Sequence, residues 1–136
     1  MLKNVKIFTL IGLMCTLLSS CDKSPTSDEI RYDLSVLTEK MFSIGDPCMR
    51  EALNRYKSNA FFGNYDTDVE KIFNECYIKK QGKVLDLEFT KKLESFVVVL
   101  QKEGFSKEDA ESEAKKIQTN LTKRITDVFK EGMESK

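Results

Sequence analysis

The sequence predicts an all-α fold, a small bundle of four or five helices with one disulfide-stapled helical hairpin. Three observations carry that prediction. Apolar residues recur at spacings of three and four along most of the chain, as one face of a helix requires. Helix-capping residues precede several of these stripes. Six glycines and two prolines in 136 residues leave few places for the tight turns of a β-hairpin protein.

The first helix is expected from about Asp28 to Phe42, with Ile30, Leu34, Leu37 and Met41 on its inner face. Gly45-Asp46-Pro47 reads as a break, with Asp46 as N-cap and Pro47 in the first helical position of a second helix. That helix turns Cys48, Ala52, Leu53 and Tyr56 inward and fades near Ala60. A third helix starts at Asp66 or Thr67, carries Val69, Ile72, Phe73 and Cys76 on one face, and stops at Gly82. Residues 84–100 admit two readings. Leu85, Leu87 and Phe89 alternate as in a short strand, and Val97-Val98-Val99 is β-branched. Leu93, Phe96, Val97 and Leu100 fit a helix ended by Gly104, and helix is the expectation. The last helix follows a capping pair, Ser106 and Asp109, and holds Ala110, Ala114, Ile117, Leu121, Ile125 and Val128 in one stripe.

Residues 1–27 have a different composition. Met1 to Lys6 contains Lys3 and Lys6 and no acid, and an apolar run from Ile7 to Leu18 follows. That run has the length of a signal-peptide core and falls short of the roughly 20 residues a membrane-spanning helix needs. It ends in Leu18-Ser19-Ser20-Cys21, which resembles the bacterial lipobox at all four positions. The alternative is an ordinary secretory signal with a chance cysteine at its cleavage point. The resemblance implies a leader over residues 1–20, cleavage before Cys21, and lipid on that cysteine, including palmitate-type acyl chains. Two or three such chains anchor durably, because each buried methylene contributes about 0.8 kcal/mol. The chain would then be held at a cell membrane on its periplasmic side.

Asp22 follows the anchor. In enterobacterial lipoproteins an aspartate there resembles the signal for retention in the inner membrane, so inner membrane is expected over outer; the plain reading is a solvated tether residue. Residues 21–27 form the lipidated tether and residues 28–136 the helical domain. From Asp22 to Ser27 the tether spans at most about 20 Å at about 3.3–3.6 Å per residue, which keeps the domain beside its own membrane.

Composition narrows the function classes. The chain carries 22 basic and 22 acidic side chains, so no clustered positive charge marks it for nucleic acid. It has no histidine, which removes the usual general base and the commonest metal ligand. No glycine-rich phosphate loop or nucleophile elbow is present. No catalytic residue, metal site or cofactor is expected, and the chain is read as not an enzyme.

Two features remain. Cys48 and Cys76 are the cysteines of the domain itself, and in an exported chain they are expected to pair. Antiparallel helices would bring them face to face, and closing that interval contributes about 3–4 kcal/mol by loop entropy. The second feature is the aromatic stretch Phe61, Phe62 and Tyr65 around Gly63. It could form an exposed knob for a protein partner or lipid surface, but the expectation is that Phe61 and Phe62 fold back under the helices as core. The expected function is that of a non-enzymatic, protein-binding accessory lipoprotein of the cell envelope, with an envelope protein as partner. Size, helicity and a cysteine pair make it broadly similar to secretin pilotins. An exclusion or immunity lipoprotein of plasmid or phage type is the other expectation, which Asp22 favours.

Overall fold

The computed structural model describes residues 23–135; the leader, Cys21 and Asp22 lie outside the described residues. Four helices follow one another: α1 (Ser27–Phe61), α2 (Val69–Lys79), α3 (Gly82–Lys102) and α4 (Lys107–Glu134). No strand occurs among the described residues, and 84% of them are helical, so the fold is all-α. Residues 84–100 lie wholly within α3.

The expected break at Gly45-Asp46-Pro47 does not exist. α1 is one helix of 35 residues with Pro47 in its interior, about 52 Å long at 1.5 Å per residue. Pro47 removes one helical hydrogen bond and crowds the turn before it, a cost near 3 kcal/mol in isolation. Packing offsets it. The next residue, Cys48, is fully buried and disulfide-bonded to Cys76, with Cα atoms 5.6 Å apart. Asp46 sits inside the helix, and its Oδ2 accepts from Arg50 Nε at 3.0 Å. The N-terminus lies at Thr26, which forms a reciprocal capping box with Glu29.

α2 descends beside the C-terminal half of α1, and α3 continues downward beside its N-terminal half. The Ser27 N–H donates to Glu103 Oε1 at 2.9 Å, which places the end of α3 at the start of α1. α4 then rises along α1: Arg124 meets Glu39, and Lys57 Nζ donates to the Ser135 carbonyl near the top. The lower half is a packed three-helix core of Ile30, Leu34 and Leu37 from α1, Phe89, Phe96 and Leu100 from α3, and Ala110 and Ala114 from α4. The two small alanines let α4 approach closely, and each large buried side chain contributes about 1.5–3 kcal/mol.

Between α2 and α3 the sequence expectation is also corrected. Gly82 is the first residue of α3, not the stop of α2. The left-handed conformation belongs to Gln81, with φ 63°. Gly82 is needed for space: a Cβ there would collide with the Tyr77 ring. Elsewhere glycine does supply positive φ. Gly63 and Gly104 have φ of 80° and 100°, and each ends a helix in a Schellman motif. The Gly104 N–H donates to the Gln101 carbonyl and the Phe105 N–H to the Leu100 carbonyl. At the start of α4, Ser106 Oγ accepts from the Asp109 N–H, as its capping pattern predicts.

Candidate functional site

Exposed apolar side chains among the described residues include Ile78, Val84 and Leu87 around the α2–α3 elbow, and two further groupings lie in the upper half of the molecule. The first is the tip of the α1–α2 hairpin. After Phe61 the chain turns through Gly63, whose N–H donates to the Ala60 carbonyl, while the Asn64 N–H donates to the Asn59 carbonyl. Asn59 Nδ2 donates to Thr67 Oγ1 at 2.7 Å, and the Asp66 N–H donates to Asn64 Oδ1 at 3.1 Å. These polar residues fix the loop from within and leave the aromatics outside. Phe61 is 85% exposed, Phe62 80% and Tyr65 70%. The expectation that Phe61 and Phe62 fold back as core is therefore overturned. Their rings pack edge to face, with centroids 5.4 Å apart, as one unit.

The second feature is a groove of about 250 Å³. Its floor is the middle of α1, with Met41, Phe42 and Met49; α2 supplies Phe73 on one wall and α4 supplies Ile125 and Val128 on the other. It exists because α2 and α4 both pack on α1 while their backbones stay apart from each other. In the lower half α3 fills that wedge; in the upper half nothing does. Ile125, expected in the core stripe of α4, is consequently 45% exposed, and Phe129 and Met133, one and two turns beyond, are 40% and 43% exposed.

The groove also carries polar groups. Tyr77 is stacked on Phe73, centroids 5.4 Å apart, and donates through its hydroxyl to Asp86 Oδ1 at 2.8 Å. Burial first, and the bond to Asp86 second, push the Tyr77 phenol well above the usual tyrosine range. Asp46 and Asp86 both line the groove, and no basic side chain does. Asp46 Oδ1 is buried with no hydrogen-bond partner among the described residues, which costs about 1–3 kcal/mol.

Ion pairs elsewhere brace the helices. Arg124 binds Glu39 through both terminal nitrogens and lies 3.9 Å from the Phe42 ring centroid. The hydrogen bond from Arg124 holds the Glu39 carboxyl below its usual range. Glu103 is lowered by its bond to Ser27, and Glu113 chiefly by Lys116 and then by Arg31. These pairs are exposed and contribute modestly.

Of the residues singled out in the sequence, the fold joins Cys48 to Cys76 and Phe61 to Phe62, with Tyr65 on the same loop. Cys21 and Asp22 lie outside the described residues. Sequence reasoning missed the groove and its central residue, Tyr77. The signal available was a mismatch of lengths: the apolar stripe of α4 runs on to Val128, whereas the segment returning beside upper α1 is only 11 residues long. Among the described residues, no group of acidic and cysteine side chains is arranged to hold a metal ion, and no helix is long and apolar enough to cross a membrane. No protein-family model, curated protein or solved structure matches this chain.

Proposed function

We propose that this chain is a lipid-anchored lipoprotein of the bacterial cell envelope whose helical domain binds another envelope protein and performs no catalysis. The observation that carries the anchor is the order of a basic start, the apolar run Ile7–Leu18 and Leu18-Ser19-Ser20-Cys21. The binding role is supported by the rigid, exposed pair Phe61 and Phe62, since aromatics paid for by no burial within the molecule are typical of protein contacts. A chain without histidine supplies no ordinary base for hydrolysis near neutral pH.

Asp22 favours the inner membrane, and with it an exclusion or immunity role over pilotin-like escort to the outer membrane. The decisive experiment combines labelled palmitate with membrane fractionation. The wild-type chain incorporates label and sediments with the inner membrane, and Cys21→Ser takes up none. Normal labelling of Cys21→Ser removes the anchor, and recovery in the outer membrane removes the exclusion role. Crosslinking in the native envelope from position 61 or 62 tests the binding role: a discrete adduct lost with competing unlabelled domain supports it, and none at either position opposes it.

A further inference from the structure

The chain is neutral overall, but the fold gathers an uneven strip along the outer side of α3. At about 100° per residue, Val84, Leu87, Lys91, Val98 and Lys102 fall within about 60° of one another around the helix. They point away from the buried line of Phe89, Phe96 and Leu100, and Val84 and Leu87 are 60% and 65% exposed. At the upper end of the strip the α2–α3 elbow adds exposed Ile78 and three lysines within five residues, Lys79, Lys80 and Lys83. None of the five lysines forms an ion pair among the described residues.

Stability does not account for this arrangement. Lys79 suits the negative end of α2, but Lys83 stands in the first turn of α3, where the helix dipole favours a carboxylate. That turn has no acidic residue and no side-chain cap. The aliphatic side chains of the strip, left in water, add little to the core.

Chemistry and position choose the occupant. Anionic headgroups attract lysine, about fivefold in affinity for each one near the surface. Aliphatic side chains enter the acyl boundary beside them, while the ammonium groups stay at headgroup level. Protein contacts are instead depleted in lysine and centred on aromatic and arginine anchors, which this strip lacks. The strip also leads to the tether. α3 is about 30 Å long at 1.5 Å per residue, and its end meets the start of α1 through the bond between Ser27 and Glu103. We infer that this face of α3 lies on the anionic surface of the bilayer that anchors the chain. Ile78, Val84, Leu87 and Val98 meet the acyl boundary, and the five lysines lie among the headgroups. Glu88 and Glu94 sit about 60° to either side of Lys91 and stay in water. Membrane charge then decides whether α1 lies along the bilayer or stands up from it. The inference rests on the anchor at Cys21 proposed above and adds a second, electrostatic contact to it.

The chain has no tryptophan, so one introduced at Leu87 reports on this face alone. The full chain carrying Leu87→Trp, extracted from membranes in neutral detergent, is reconstituted in vesicles of phosphatidylcholine with or without phosphatidylglycerol. Bromine on the acyl chains quenches the indole on contact, and flotation on pure phosphatidylcholine reports the anchor by itself. With phosphatidylglycerol, Leu87→Trp emission should shift to the blue and be quenched at least about fivefold more strongly, the effect of a single lysine. Lys79→Gln/Lys80→Gln/Lys83→Gln should remove that difference. So should raising salt from about 0.1 M to about 1 M, which shortens the Debye length from about 10 Å to about 3 Å. Tyr32→Trp, exposed on α1 opposite the buried line of Ile30, Leu34 and Leu37, should stay unquenched on both vesicles. A floating chain whose Leu87→Trp is unquenched, or quenched equally on both vesicles, overturns the inference and leaves the anchor intact. Equal quenching of Tyr32→Trp overturns it too, because lipid would then touch every side of the domain. Failure to float removes the anchor and this inference together. Leu87→Trp unquenched on lipid but buried in native envelope membranes assigns the face to a protein instead, and the inference falls.

Discussion

The Tyr77 hydroxyl donates a 2.8 Å hydrogen bond to Asp86 Oδ1 and so ties the end of α2 to the second turn of α3. The same ring stacks on Phe73 and covers the backbone of Gly82. One buried side chain thereby sets how α3 leaves α2, and the position of α2 is what leaves the groove open.

This bond has a pH signature. Folding raises the Tyr77 pKa, so its stabilisation is complete below the unfolded value, near pH 10, and is lost as pH rises through the folded one. Tyr77→Phe should be less stable than wild type by about 1–2 kcal/mol at pH 7. In urea melts the gap should narrow above pH 10, because unfolded wild type then ionises a phenol that the variant lacks. A gap constant with pH would show that folding does not raise the phenol's pKa, and no gap at pH 7 would show that the hydroxyl contributes nothing.

The elbow between α2 and α3 makes two neighbouring positions respond in opposite ways to small residues. Gln81→Gly relieves a left-handed backbone and should stabilise by about 0.5–1 kcal/mol. Gly82→Ala, which favours helices in general, should destabilise by about 1–3 kcal/mol because its methyl meets the Tyr77 ring. Thermal melts of the two variants and their combination check both signs.

Loss of the Cys48–Cys76 bond should cost about 3–4 kcal/mol, since it closes a loop of 28 positions. Only 11 residues long, α2 is too short to persist alone. Hydrogen exchange on Cys48→Ala/Cys76→Ala should therefore show α2 unprotected while amides around Phe96 and Leu100 in the lower core stay protected.

At the tip, stability and binding should separate. Phe61→Asp/Phe62→Asp removes two rings that are 85% and 80% exposed, so the change in unfolding free energy should stay within about 0.5 kcal/mol. Crosslinking at that loop in the envelope should disappear. A large loss of stability would mean that the rings support the hairpin.

The helical class, the disulfide and the last helix were legible because each leaves a local mark: periodicity, an isolated cysteine pair, a serine cap. Pro47 misled because proline usually marks a boundary. Yet Leu37, Met41, Gly45, Cys48 and Ala52 keep spacings of four, four, three and four across it, and that unbroken phase was the sign of one continuous helix. Gly82 misled for a similar reason: glycine at a helix end suggests left-handed backbone, whereas here it makes room for a ring 5 residues earlier in the chain. The exposure of Phe61 and Phe62 and the groove beside Tyr77 depend on which helices fail to meet, and hydrophobicity along one chain does not encode that gap.

The unbroken course of α1 also works as a ruler. Its start is fastened by the Thr26–Glu29 box and by Glu103, and its far end carries the aromatic pair. For a chain held at Cys21, an upright domain sets Phe61 and Phe62 at a height of about 50 Å plus the tether. A break at Pro47 would have made that height variable; if the proposed anchor holds, a single rod turns residue count into a standoff distance between bilayer and tip.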